Sequence, residues 1–308
     1  MNTLSGPLGD DVAAAAQPDD VRVVCVVFNP GDELRAFLDS VHKATTRPLD
    51  VVLVNNGGPS TALDEAVASG RARLLEAGGN LGYGGGANRG AAGSRARWLV
   101  VANPDLEWEP GSLDALVDAA VRVPAAGAVG PRILNSDGSV YPSARALPSL
   151  AVGLGHALLH RVWSGNPWSR RYQQANVADR SEERPVGWLS GACLLLRPEA
   201  FAAVGGFDER YFMFFEDVDL GDRIGRAGWL NLYAPSATVT HLQGASWKAT
   251  PAPMIRAHHA SARRYLVDRH DRWYQAPLRW AIVAGLWVRE QVEVAAARRG
   301  KSSPGGSA

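Results

Sequence analysis

From Val21 onward the hydrophobic pattern changes period several times. VRVVCVVFN is an unbroken, largely β-branched run of the kind that fills a strand buried on both faces, and GDELRAFLDSVHKA follows with Leu34, Phe37, Leu38 and Val41 spaced for one side of a helix. DVVLVNN predicts a second buried strand, and STALDEAVASG a helix with Ser60 or Thr61 as its N-cap. ARLLEA, a glycine-rich turn opening a helix, and RWLVVANPD continue the alternation. Wholly apolar strands separated by helical stretches indicate a mostly parallel sheet covered on both faces, an α/β class with residues 21 to about 130 as one unit.

The stretch from Pro142 to Pro185 breaks this rhythm. It is rich in Trp, Arg, Pro and Ser, and SLAVGLGHALLHRVW is an apolar helix candidate within what reads as an excursion. Strand and helix patterns resume with VGWLSGACLLLRPEAF, GGFDERYFMFFEDVDLGDRIGRAGW and NLYAPSATVTHLQG. After Pro253 the chain turns helical and basic up to Arg299. The expected organisation is a tail at 1–20, a domain at 21–250 with halves meeting at 130/131, a helical extension at 251–299 and a tail at 300–308, without internal repeats.

Composition narrows the partners. Formal net charge is +1, so no global field recruits nucleic acid. Cys25 and Cys193 lie in apolar runs and read as small buried hydrophobes, consistent with a reducing, cytoplasmic setting. The first twenty residues lack a secretion signal, and the longest apolar stretch, Ala281 to Val288, falls short of the roughly twenty residues that span a bilayer.

In sheets of this class ligands bind outside the carboxyl ends of the strands. Those ends bring Phe28 and Asn29, Asn55 and Asn56, and Asn103 with Asp105 to one edge. A proline aims the Asp105 carboxylate off its strand, where one carboxylate suffices for Mg or Mn if a diphosphate supplies other oxygens; a turn-stabilising aspartate is the alternative. In NLGYGGGANRG, Gly82, Gly84 and Ala87 fit the dinucleotide pattern, so an NAD(P)-dependent oxidoreductase is one reading. Against it, two buried strands already precede this turn. A tight connection without ligand, or close backbone approach to a nucleotide sugar, are the others.

FFEDVDLGDRIGRAGW concentrates Glu216, Asp217, Asp219 and Asp222 at a helix start. Part of that cluster is ordinary dipole compensation, with Asp222 and Arg226 as an i,i+4 pair. The apolar approach through Tyr211, Phe212, Phe214 and Phe215 places the adjacent Glu216 and Asp217 in a desolvated, mutually repelling setting suited to a general base. His241 closes ATVTH, where a neutral imidazole suits a metal or a phosphate.

Taken in order, FNPGDELRAFLDSV, NLGYGGGANRG, VVANPD, WLSGACLLLRPEAFAAVGGFDERYFMFFEDVDLGDRIGRAGW and HLQGAS resemble the inverting family-2 glycosyltransferases of GT-A fold, over nearly everything from Val21 to about Trp247. DGSVYPSARALPSL, NPWSRRY, RPVGWLSGACLLLRPEAF and the later AHH and APLRW are similar to a branch of that family that adds L-rhamnose to polyprenyl-diphosphate N-acetylglucosamine, a cell-wall arabinogalactan linker.

The resemblance implies a Rossmann-like, mostly parallel sheet flanked by helices and a set of roles. Asp105 would bind Mg or Mn, with Asn103 where the first aspartate of a D-x-D element usually stands, and His241 would complete that site. Asp217 would be the general base, with Glu216 holding or tuning it. Phe28, Asn29, Asn55, Asn56, Asn80, Gly82, Tyr83, Gly84, Asn88 and Asn103 would line the nucleotide-sugar side, where the family commonly reads Asp-Asn instead of Asn55-Asn56. Arg145, Trp188, Ser190, Gly191 and Ala192 would face the acceptor. The implied donor is dTDP-β-L-rhamnose, the acceptor a polyprenyl-diphosphate GlcNAc, and inversion gives an α-rhamnosyl product. A carbohydrate-binding or assembly protein that keeps the fold without chemistry is the non-enzymatic rival.

The extension fits a lipid acceptor. Its arginines outnumber its acids, and Trp273, Trp280 and Trp287 recur every seven residues, which suits a peripheral position at an anionic membrane surface, here the cytoplasmic face. Packing of the helices on the main domain, or a homodimer through the same tryptophans, are the alternatives.

Overall fold

The computed structural model describes residues 20–148, 181–242 and 251–301. The expected helix SLAVGLGHALLHRVW, the NPWSRRY segment, the last four residues of HLQGAS and most of both tails lie outside the described residues.

The predicted alternation forms as β1 (Val21–Val27), α1 (Glu33–Val41), β2 (Leu49–Asn55), α2 (Thr61–Ala68), β3 (Arg73–Glu76), α3 (Gly82–Ala91) and β4 (Trp98–Ala102). There follow β5 (Leu106–Trp108), α4 (Ser112–Arg122), β6 (Ala126–Asn135), β7 (Val140–Tyr141), β8 (Ala144–Arg145), β9 (Arg184–Val186), β10 (Trp188–Leu189) and β11 (Cys193–Leu196). The rest comprises α5 (Pro198–Ala203), α6 (Glu216–Arg226), β12 (Leu230–His241), α7 (Pro251–Asp268), a 3-10 turn at Trp273–Gln275 and α8 (Ala276–Lys301). α8 thus runs two residues beyond the Arg299 boundary.

The main sheet is ordered β3-β2-β1-β4-β11-β6-β12-β5, with β7 added to β6 and β9 to β12. Its first four strands are parallel, as is β12 with β6. β11 runs antiparallel to both β4 and β6, so the sheet is mixed at its centre. That reversal brings the start of β11 to the end of β4, pairing Cys193 with Ala102.

The unbroken apolar runs are explained by cover on both faces. In β1, Val21, Val23, Cys25 and Val27 join one core cluster with α1 and α4, while Val24 and Val26 point into the opposite cluster with Phe201, Phe207 and Ile224. Each such fully buried Val is worth about 1.5–3 kcal/mol over an exposed one. Cys25 and Cys193 are buried free thiols. Ser60 is the N-cap residue of α2, but its hydroxyl donates to the Pro30 carbonyl at 3.1 Å rather than capping the helix.

Candidate active site

α3 shows what the glycine-rich turn does. A Cβ on Gly90 would lie 2.4 Å from Val24 Cγ1 and one on Gly86 2.8 Å from Val26 Cγ1, so the bare backbone lets α3 settle directly onto β1. Gly82, at φ +74°, has its Cα face 2.2 Å from the Phe212 carbonyl oxygen for any added Cβ, and Gly84 is filled by Phe207. The surfaces of Gly82 and Gly84 are therefore occupied by protein. This removes the dinucleotide reading of the turn and corrects the expectation that Gly84 lines the sugar pocket.

Asn88 is likewise spoken for. Its amide donates to the Phe207 carbonyl at 2.9 Å and to Glu209 at 3.0 Å, and its oxygen accepts the Phe207 N–H, so it fastens α3 to the 206–209 loop instead of meeting a nucleotide. Asn80 accepts the Gly82 N–H and shapes the turn. Asn55 and Asn56, both buried, end β2. The Asn55 amide reaches Glu76 at 3.0 Å and its oxygen takes the Gly57 N–H. Glu76 closes β3 and was not singled out from sequence; pairing with a buried amide is visible only once β2 and β3 are neighbours. The Asn56 amide donates to Gly82 at 2.8 Å, while its Oδ1 is buried without a hydrogen-bond partner among the described residues and is the amide oxygen free for a ligand. Asn29, at φ 50°, braces Gly58 through its side-chain oxygen, and Phe28 beside it is exposed.

The acid cluster opens α6. Asp217 Oδ2 accepts the Gly191 N–H at 2.9 Å and Oδ1 accepts the Val218 N–H at 2.8 Å. The Tyr83 hydroxyl donates to the Gly191 carbonyl, joining α3 to the same turn. Burial raises Asp217 from the ordinary carboxylate range, opposed by the two N–H donors and by the Arg145 cation. Burial first, then the neighbouring Asp217 charge, push Glu216 up to about 8. Glu216 Oε2 has no hydrogen-bond partner among the described residues. A proton shared by the pair therefore rests on Glu216, which lacks donors, and leaves Asp217 the ionised member. Asp219 and Asp222 are occupied by Arg223 at 2.7 Å and Arg226 at 3.0 Å, as helix spacing predicts.

The expected acceptor residues gather around Asp217. Trp188 and Arg145 face each other across the β8–β10 pair, the guanidinium 5.5 Å from the indole centroid. The Ser190 N–H donates to Ser143 at 2.7 Å, and Ala192 O accepts the Asn103 N–H at 2.9 Å. One short turn, 190–192, thereby links the Asp217 carboxylate to the end of β4.

Past that end, His241 Nε2 lies 3.1 Å from Asp105 Oδ1, and Asp105 O accepts the Leu242 N–H at 2.9 Å. Tyr141 stands edge-on to the His241 ring at 6.2 Å, a neighbour that the sequence reading missed. His241 Nδ1 is buried without a hydrogen-bond partner among the described residues. Two adjacent ligands of an octahedral cation at about 2.1 Å stand about 3 Å apart, so a carboxylate oxygen and an imidazole nitrogen at this spacing fit one divalent ion. Among the described residues no group of three or more His, Cys, Asp or Glu could hold a metal by itself, so such an ion would need oxygens from a ligand.

Comparison with known proteins agrees with this geometry. Residues 22–201 match the family described as glycosyl transferase family 2. The chain is 50% identical over 293 residues to the N-acetylglucosaminyl-diphospho-decaprenol L-rhamnosyltransferase of Mycobacterium tuberculosis, covering 91% of this chain and 95% of that one. It is 31% identical over 269 residues to the O-antigen biosynthesis protein RfbC of Myxococcus xanthus, 84% of this chain and 20% of that protein. Among solved structures, GalNAc-T7 with UDP, GalNAc and Mn2+ superposes with TM-score 0.55 at 18% identity, over 74% of this chain and 44% of that one. S. aureus TarS 1–349 gives TM-score 0.51 at 12% identity, over 79% and 64%. The fold is GT-A, and the chain belongs to glycosyltransferase family 2 and is a glycosyltransferase.

Proposed function

We propose that the chain transfers L-rhamnose from dTDP-β-L-rhamnose, with inversion, to the GlcNAc of a polyprenyl diphosphate, a cell-wall linker step. The observation that carries this reading is the 50% identity to the Mycobacterium rhamnosyltransferase, spread over 91% of the chain.

The site residues divide the work. Asp217, ionised and oriented by Gly191 and Val218, takes the proton of the acceptor hydroxyl as that oxygen attacks the anomeric carbon; a positioned base contributes about 10² to 10⁴ in rate. Glu216 keeps its proton and so spares Asp217 a second neighbouring charge. Trp188 and Arg145 flank the acceptor sugar, and Asn56 Oδ1 is offered to the nucleotide. Asp105 and His241 would hold Mg or Mn, which when bound neutralises charge growing on the departing diphosphate. Inversion needs the base and the leaving group on opposite sides of the sugar, and the 190–192 turn separates the two acids accordingly.

The extension turns toward the lipid. No helix among the described residues is long and apolar enough to cross a membrane. α8 buries Ile282, Glu290 and Val294, while Trp280, Val283, Trp287, Val288 and Val292 are exposed on its other side. Residues 251–301 hold ten Lys and Arg against four Asp and Glu, leaving the rest of the chain net negative. An apolar face with tryptophans beside an excess of arginine suits an anionic bilayer that carries the acceptor, and places the enzyme peripherally at its cytoplasmic face.

Incubation with dTDP-rhamnose and a short polyprenyl-diphosphate GlcNAc tests the assignment. Rhamnosylated lipid is the expected product. Its absence with Mg or Mn supplied, while another nucleotide sugar is consumed, would overturn the donor.

A further inference from the structure

The segment that carries Asp217 is gripped from outside the sheet. Phe214 and Phe215, just before α6, both occupy the left-handed region, at φ 65° and 66°. Aromatic residues rarely do so, and such backbone persists only where its surroundings over-determine it. On one side, Phe212 O accepts the Tyr83 N–H at 3.2 Å. The other side is covered by α7.

α7 meets this segment before, within and after the left-handed pair. Arg210 pairs with Asp268 at 3.1 Å. The Ser261 hydroxyl donates to the Met213 carbonyl at 2.8 Å. The His258 ring stands edge-on to Phe214 and Phe215, with centroids 5.6 and 5.5 Å away. Tyr265, almost fully buried, packs on Phe215 at 5.6 Å and joins Tyr211 and Val218 in an apolar cluster that Trp188 and Leu147 border. Asp222, on the second turn of α6, closes the series with Arg269 at 3.0 Å.

We propose that α7 is a clasp that sets the catalytic segment, with Tyr265, Ser261 and His258 as positioning residues that keep the Asp217 carboxylate on Gly191. The inference rests on the reading of Asp217 as the base. Its physical basis is leverage. Two consecutive left-handed residues fix where α6 begins, and Asp217 is the second residue of that helix. Letting Phe214 and Phe215 relax to ordinary dihedrals would swing the first turn away from the 190–192 turn. None of the three positioning residues touches Asp217, so they act only through the backbone they hold. The grip also extends to α8, since Arg263 and His259 of α7 lie 3.5 and 3.7 Å from Glu290 and Glu293. The helix pair with exposed tryptophans is thus the same unit that holds the catalytic loop.

The test uses the full chain with Tyr265→Leu, Tyr265→Phe and Ser261→Ala, each checked for folding by circular dichroism, and measures kcat and donor KM separately. Tyr265→Leu should lower kcat by about tenfold or more, because a displacement of order 1 Å at the reacting groups carries penalties of that size. Donor KM should stay within about twofold, the pattern of an interaction expressed in the transition state. Tyr265→Phe keeps the ring and should restore kcat. A folded Tyr265→Leu protein with unchanged kcat, or with kcat lost equally in the phenylalanine variant, overturns the clasp. If Tyr265→Leu does not fold, Ser261→Ala decides, and unchanged kcat there overturns it as well. Asp217→Asn is run alongside: turnover that survives it removes the base reading, while the Tyr265 comparison still judges the clasp, because kcat reads the transfer whichever group takes the proton.

Discussion

Asp217 Oδ2 accepts the Gly191 N–H at 2.9 Å. The next carbonyl in that turn, Ala192 O, accepts the Asn103 N–H at the same distance, two residues before Asp105. Two acids 112 positions apart in the sequence are thereby fixed to one end of the sheet through a single turn. The turn holds this position because β11 runs backwards beside β4. The first prediction concerns the acid that this contact aims. Asp217→Asn keeps the side-chain shape and should retain donor binding, measured by calorimetry, while kcat falls by about a hundredfold or more.

Asp105 and His241 are expected to act together. With Mn and dTDP at about a hundred times the dissociation constant, the native protein should gain about 2.7 kcal/mol of stability, read as a rise in Tm. EDTA should abolish that rise. Asp105→Ala and His241→Ala should each lack it; a full Tm response in either variant would remove that residue from the cation site.

Glu216 gives a pH signature. Its pKa in the folded protein is raised from 4.5 to about 8, so between those values the native state binds more protons than the unfolded chain. Stability therefore falls as pH rises through that window, the favourable contribution being complete below the lower value. Glu216→Gln removes the titration and should flatten the dependence of Tm on pH between about 5 and 8. A slope that survives the substitution would mean another group is responsible.

Packing of α3 predicts opposite outcomes for two glycines. A Cβ at Gly90 meets Val24 at 2.4 Å and Val54 at 2.8 Å. Gly90→Ala should cost about 1–3 kcal/mol in urea unfolding, the range for overpacked interiors. Gly225 lies inside α6 with nothing within 4 Å of an added Cβ. Gly225→Ala should leave stability equal or raise it by about 0.5–1 kcal/mol, because alanine loses less backbone entropy.

The exposed side of α8 is tested by the double change Trp280→Ser with Trp287→Ser. Sedimentation with anionic vesicles should weaken by about tenfold, as expected for removing two large apolar anchors. Intact vesicle binding together with loss of a dimer in light scattering would instead assign this face to a second copy of the chain.

Much of the fold was legible because its signals are local. A strand covered on both faces must be apolar throughout, so VRVVCVV and VVLV mark the sheet, and the 3.6-residue spacing of Leu34, Phe37, Leu38 and Val41 marks the helix that covers it; all four are buried. Asp217, Asp105 and His241 could be named because each follows or opens a recognisable element. The glycine turn was ambiguous for a physical reason. A missing side chain makes room for a ligand or for protein, and only tertiary packing shows that Phe207, Phe212 and Val24 take the room. Asn88 was misjudged for the same cause, since its partners at 207 and 209 lie more than a hundred residues away.

The sequence by itself determined the element order, the two-sided core, the acids at the element ends and the basic, tryptophan-bearing helices, because these follow from hydrophobic period and residue chemistry along the chain. Only the tertiary structure decided the reversal of β11, the 3.1 Å approach of His241 to Asp105, the allocation of the proton within the Glu216–Asp217 pair and the clasp of α7 on Phe214 and Phe215. Each depends on which distant groups share a desolvated space, and no local pattern encodes that.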